Sequence, residues 1–106
     1  MATLRRFEEL RFNSYFKLGQ TDRAMAYVNK LIALSPNQLG LYLMRADAYL
    51  SQQNYDLALA DLDRADVLVA KDQNALLKKA ECRFRLGQYE KAEVDLAKIN
   101  SADATV

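Results

Sequence analysis

The chain has 106 residues, with 15 Lys and Arg against 14 Asp and Glu, no His, no Trp, one Cys and one Pro. One domain is expected at that length, burying roughly two thirds of the surface its unfolded chain exposes. Without His there is no ordinary near-neutral acid–base group, and one Cys makes neither an internal disulfide nor a thiolate cluster. A net charge of +1 gives no reason to expect nucleic acid or an anionic membrane as the main partner.

The predicted elements are all helical. Ala (16) and Leu (17) dominate while Gly and Pro together number 4, which suits helices and is too poor in turn residues for a many-stranded sandwich. The start, MATLRRFEEL, lacks the apolar core of a signal peptide, and no window approaches a membrane span. The lone cysteine fits a reducing compartment or simple indifference to redox, and the expected location is cytoplasmic. In chain order the apolar spacing predicts helices at about 4–18, 22–34, 39–51, 55–69, 73–86 and 89–100. Turns fall at LGQ (18–20), QQN (52–54) and LGQ (86–88), and Pro36 blocks continuation of the second helix. Gly19 and Gly87 suit the left-handed residue beyond a helix end. In the middle turn Gln53 holds that place, and Asn54 is the residue better able to adopt it. Asp22, Asp56 and Glu90 fall in the first turn of the helix that follows, where the macrodipole favours an acid.

The chain repeats itself at a shift of 34. YFKLGQTDRAMAYVNKL (15–31), YLSQQNYDLALADLDRA (49–65) and RFRLGQYEKAEVDLAKI (83–99) superpose. Ala24, Ala58 and Ala92 coincide, as do Val28, Leu62 and Leu96. Each copy reads as two helices and a tight turn. Small residues (Ala46, Ala58, Ala65, Ala80, Ala92) allow close helix crossing, and knobs such as Tyr42, Tyr49, Leu62 and Leu96 fill the space between copies. One hairpin cannot bury its apolar face, so at least three must stack.

The pattern resembles the tetratricopeptide repeat (TPR) family, whose period is 34 and whose signature is W-x2-L-G-x2-Y, then A-x3-F, then P. The middle copy has Tyr42-x2-Arg45-Ala46-x2-Tyr49, then Ala58-x3-Leu62, with Ala70 in place of the proline. The third has Leu76-x2-Lys79-Ala80-x2-Arg83, then Ala92-x3-Leu96; the first has Glu8-x2-Arg11-Phe12-x2-Tyr15, then Ala24-x3-Val28 and Pro36. Glu8 and Phe12 depart from the family's large apolar and small residues. The resemblance implies an all-α, right-handed α-solenoid of three helical hairpins in a single domain over 1–106, with repeats at about 5–38, 39–72 and 73–106. The capping helix such arrays often carry is not evident.

Four features compete for a functional role. Arg45 and Asp61 are 16 apart, as are Lys79 and Asp95, a spacing that places each pair across a hairpin. Asp56, Asp61, Asp63 and Asp66 lie on one helix and read first as a solvated face, then as a docking patch for a basic partner. Cys82 has no base to activate it and reads as a packing residue. No phosphate loop, zinc spacing or hydrolase triad can be assembled, so no catalytic residue, cofactor or metal is expected.

The fourth feature is the groove. In the resembled family the first helix of each repeat lines a concave surface where ligands lie. Carried over by position, that surface comprises Arg6, Glu9, Asn13, Phe16 and Lys17; Leu43, Met44, Asp47, Leu50 and Ser51; and Asn74, Leu77, Lys78, Glu81, Phe84 and Arg85. Phe16, Leu43, Leu50, Leu77 and Phe84 are expected to form an exposed apolar stripe. The chaperone-docking members grip a C-terminal carboxylate with Lys and Asn, Asn, then Lys and Arg. Here those places hold Glu9, Asn13, Met44, Asn74 and Lys78, so the resemblance does not extend to that clamp. The expected function is a non-catalytic adaptor, scaffold or chaperone-like module. Its partner is a protein, offering an extended peptide or short helix with apolar anchors, and Lys17, Lys78 and Arg85 favour acidic neighbours. The alternative is a structural unit that self-assembles, or joins a longer array, through incompletely capped ends.

Overall fold

The computed structural model describes residues 2–99. The elements are α1 (Ala2–Lys17), α2 (Thr21–Leu34), α3 (Leu39–Ser51), α4 (Tyr55–Leu68), α5 (Gln73–Arg85) and α6 (Tyr89–Lys98). Among the described residues there is no strand. The fold is an all-α helical-repeat solenoid of three hairpins, α1–α2, α3–α4 and α5–α6. The expected sixth helix ran to residue 100; Ile99 is already extended, and residue 100 lies outside the described part.

The same hydrogen-bonded device reverses each hairpin. Gly19 N–H donates to Phe16 O at 3.0 Å and Gln20 N–H to Tyr15 O at 2.8 Å. Gln53 and Asn54 repeat this onto Leu50 (3.0 Å) and Tyr49 (2.8 Å), and Gly87 and Gln88 onto Phe84 (3.0 Å) and Arg83 (2.7 Å). This is the Schellman motif, which satisfies two orphan carbonyls and requires one left-handed residue. That residue is Gly19 (φ 75°), Gln53 (φ 60°) and Gly87 (φ 79°). Asn54, the residue intrinsically better suited, has φ −97°. The motif counts positions from the helix end, so hydrogen bonding overrides local propensity and puts the strain on Gln53. A Gln53→Gly substitution is therefore expected to raise the unfolding free energy by about 1 kcal/mol. A left-handed L-residue costs roughly 1–2 kcal/mol, and glycine's freedom in the unfolded chain takes back part of it. An unchanged or lower denaturation midpoint refutes this. Asp22, Asp56 and Glu90 occupy the first turns of α2, α4 and α6, as the dipole favours.

Two apolar clusters hold the hairpins together. The first joins Phe12, Ala24, Val28, Leu41, Met44 and Ala48, with Tyr15, Phe16 and Ile32 against it. The second joins Ala46, Ala58, Leu62, Ala65, Ala75 and Cys82, with Leu43, Tyr49 and Leu50 against it. Phe12, a departure from the small residue of the repeat pattern, is thus a core side chain, 2% exposed. Its ring lies 5.0 Å from that of Phe16. Helix pairs cross closely where Ala24 and Ala58 have no exposed surface. An Ala58→Leu variant has to push α3 and α4 apart, and overpacking of this kind costs ~1–3 kcal/mol. Loss of at least that much stability in chemical denaturation is the expected result; a parental midpoint means Ala58 is not at the crossing. Cys82 is buried, and that burial raises its thiol to about 11, which keeps it protonated and inert.

Polar pairing follows the repeat only in part. Arg45 binds Asp61 in two-pronged fashion, Nε to Oδ2 at 2.9 Å and Nη2 to Oδ1 at 2.6 Å, and reaches back to Asn29 Oδ1 at 2.9 Å. One repeat earlier, Arg11 and Tyr27 stand at the same two places, and the guanidinium lies over the ring, 5.5 Å from its centroid. The expected Lys79–Asp95 pair is not formed. Lys79 Nζ turns to α4 instead, 2.5 Å from Asp66 Oδ2 and 3.3 Å from Asp63 Oδ1, while Asp95 takes Arg83 Nη1 at 2.6 Å. Two carboxylates on α4 outbid one on α6 for a flexible point charge, and the fork of Arg83, one turn along α5, reaches the carboxylate left over. Burial depresses the Lys79 ammonium, but hydrogen bonds to Asp66 and Asp63 prevail and hold it above its ordinary value. The acids of α4 are accordingly not one solvated face. Asp61 is buried against Arg45, Asp63 and Asp66 serve Lys79, and Asp56 is exposed.

Candidate functional site

The first helices of the hairpins, α1, α3 and α5, lie side by side because the 34-residue period brings the same helix face round in each copy. Between them is a cleft of about 340 Å³ lined by Glu9 and Asn13 of α1, Gly40, Leu43, Met44 and Asp47 of α3, and Asn74 and Lys78 of α5. A second cleft of about 400 Å³ adjoins it, lined by Phe12, Asn13, Phe16, Lys17, Asp47, Ala48 and Ser51. Asn13 and Asp47 belong to both, so the two form one groove. Across it Lys78 Nζ donates to Asp47 Oδ1 at 2.7 Å.

The carried-over residues do not all meet in one place. Glu9, Asn13, Leu43, Met44, Asp47, Asn74 and Lys78 meet in the first cleft, Phe16, Lys17 and Ser51 join Asn13 and Asp47 in the second, and Leu50 lines neither, packing on the core instead. Arg6, Leu77, Glu81, Phe84 and Arg85 are exposed outside both linings. The apolar stripe is not uniformly exposed. Phe16 packs on the first core cluster and Leu43 and Leu50 on the second, whereas Leu77 is 55% and Phe84 59% exposed. Place in the array accompanies the difference: Phe16 of α1 and Leu43 and Leu50 of α3 pack on the core clusters, whereas α5 belongs to the last described hairpin. Phe84 is steadied by Tyr89, ring centroids 5.4 Å apart and nearly edge-on. Lys78, expected to attract acidic neighbours, is already engaged by Asp47.

Sequence reasoning passed over Gly40, Phe12 and Ala48 as lining residues. Gly40 had a signal, being the only glycine inside a predicted helix and hence a place without a side chain. Phe12 and Ala48 had none: Phe12 stood out only as a departure from the repeat pattern. Among the described residues no group of His, Cys, Asp and Glu converges to hold a metal ion, and no helix is long and apolar enough to cross a membrane.

Comparison with known proteins places this geometry. The profile of the family described as "Anaphase-promoting complex, cyclosome, subunit 3" matches residues 17–99. Protein unc-45 homolog B of Xenopus tropicalis is 33% identical over 87 residues, covering 79% of this chain and 9% of that protein. The tetratricopeptide repeat and J domain-containing co-chaperone DNJ1 of Mycosarcoma maydis is 31% identical over 78 residues, covering 71% of this chain and 13% of that protein. The chain thus spans about a tenth of the length of these curated relatives. Among solved structures, the second TPR of Spaghetti (RPAP3) bound to the HSP90 peptide SRMEEVD superposes with a TM-score of 0.78 at 30% identity, covering 87% of this chain and 85% of that one.

Proposed function

The chain belongs to the anaphase-promoting complex, cyclosome, subunit 3 family of tetratricopeptide-repeat proteins, and on that premise we propose that it is a non-catalytic module binding a peptide or short helix of another protein in the groove of α1, α3 and α5. The observation that carries the reading is that α5, which supplies Asn74 and Lys78 to the groove, also leaves two large apolar side chains, Leu77 and Phe84, exposed. Exposed large apolar groups on a helix that also lines a cleft are what a bound segment with apolar anchors requires. The solved neighbour with its HSP90 peptide supports the use of this fold to hold a segment of another protein. A cytoplasmic adaptor or chaperone-like role belongs to the same proposal. The test is panning of random dodecapeptides displayed on phage. The parent chain should enrich a family of sequences that a Leu77→Ser, Phe84→Ser variant does not; enrichment by neither refutes the groove.

A second reading has its own observation. Val28 and Leu62, fully buried, are covered by the following hairpin, whereas Leu96 at the equivalent place on α6 is 44% exposed and Val94 beside it 53%. That face fits a further helix, from a second copy or a longer array. Sedimentation across a concentration series decides it, since self-assembly requires a mass that rises with concentration and falls back for Leu96→Lys.

A further inference from the structure

We propose that the cleft between α1, α3 and α5 takes a basic side chain, Lys or Arg, from an internal stretch of the bound segment, and rejects a free terminal carboxylate. The proposal rests on the groove reading above and adds its chemical selectivity. Three charged side chains line the cleft: Glu9, Asp47 and Lys78. Lys78 is held by Asp47 at 2.7 Å, and the Asp47 side chain remains 55% exposed. Among the described residues Glu9 has no ion-pair partner. In this cleft two carboxylates therefore face one ammonium; Lys17, the other cation of the groove, lines only the adjoining cleft.

Backbone dipoles do not reverse that sign. The opening turn of α3 contributes about half a positive charge, and the corresponding turn of α5 is capped by Asp72, whose carboxylate accepts from Ala75 N–H at 3.1 Å. Asn13 and Asn74 offer amide groups that pair with a peptide backbone of either polarity. Met44 is 7% exposed and supplies no donor. A carboxylate entering here has to displace Asp47 from Lys78 and then lie beside two like charges. An ammonium or guanidinium instead neutralises Glu9 and shares the exposed oxygen of Asp47. At these separations, within one Debye length, salt screens the interaction little. The SRMEEVD segment held by the solved neighbour is acidic, the opposite of what this cleft complements.

The test uses the peptide most enriched by panning, synthesised with both ends blocked and a fluorescent label, in anisotropy titrations with the full chain. SRMEEVD with a free C-terminus is the comparison probe. The enriched peptide should contain Lys or Arg, and changing that residue to Gln should weaken binding about tenfold or more. Glu9→Lys should do the same, and the two losses should not add, because both remove one interaction. If Glu9→Lys loses helicity, Glu9→Gln replaces it. A chain with Glu9→Gln and Asp47→Asn frees Lys78 and should gain affinity for SRMEEVD. Enriched peptides without a basic residue, or parental affinity for SRMEEVD equal to that for the enriched peptide, overturn the selectivity while leaving the groove reading standing. Enrichment indifferent to Leu77→Ser with Phe84→Ser, or none at all, overturns both.

Discussion

Replacing Arg83 with Leu should lower the stability of the solenoid by about 3–5 kcal/mol, the cost of leaving a buried charge without its partner. Asp95 has no exposed surface, and its Oδ2 is held by Arg83 Nη1 at 2.6 Å. Its other oxygen, Oδ1, is buried without a hydrogen bond, as is Nε of Arg83. The carboxylate thus leans on one donor group. The alternative cation, Lys79, is committed to Asp63 and Asp66. The paired variant Arg83→Leu, Asp95→Leu removes both desolvation penalties and should recover most of the loss, because apolar replacement of a buried ion pair is often neutral. Urea denaturation of parent, single and double variants is the measurement. A single variant as stable as the parent shows that Asp95 finds another donor or reaches water, and refutes the pairing. Arg45 offers the same test one repeat earlier: its removal strands the buried Asp61 without either guanidinium bond and takes the contacts to Asn29 and Tyr42 with it, so a loss at least as large is expected.

Leu77→Ser with Phe84→Ser should abolish partner binding and leave folding nearly intact. Burying one Leu or Phe side chain at an interface contributes ~1.5–3 kcal/mol, so losing two anchors removes a hundredfold or more in affinity. Both side chains are more than half exposed in the free chain, so their removal takes little from the core. Leu43 makes the contrast. It stands one repeat before Leu77 but packs against the second core cluster, so Leu43→Ser should lower the melting temperature where Leu77→Ser does not. Should the Leu77, Phe84 pair unfold the chain, α5 carries core there; a folded variant that still binds at parental affinity moves the binding surface elsewhere, with the exposed face of α6 next in line.

The repeat, the six helices and the all-α class were legible in the chain before any fold was known. Those follow from local quantities: the 34-residue period, the spacing of Ala24, Ala58 and Ala92, and the turn residues at 19 and 87. Each is written into the chain at short range, where helix geometry converts spacing into a face. Which of several equivalent partners meet emerges only in the packed array. Lys79 and Asp95 match Arg45 and Asp61 in sequence, yet Lys79 goes to α4 because Asp63 and Asp66 lie nearer in the folded array. Phe12 departs from the repeat pattern and is core all the same, since α3 closes over it. Gln53 turns left-handed although Asn54 suits that conformation better, because the hydrogen bonds of the hairpin fix the position. The groove follows the same rule. Its residue types were legible from the period. That Lys78 is held by Asp47, that Leu43 is half buried and that Leu77 stands open depend on how the three hairpins pack, a property of the assembly and of no single repeat.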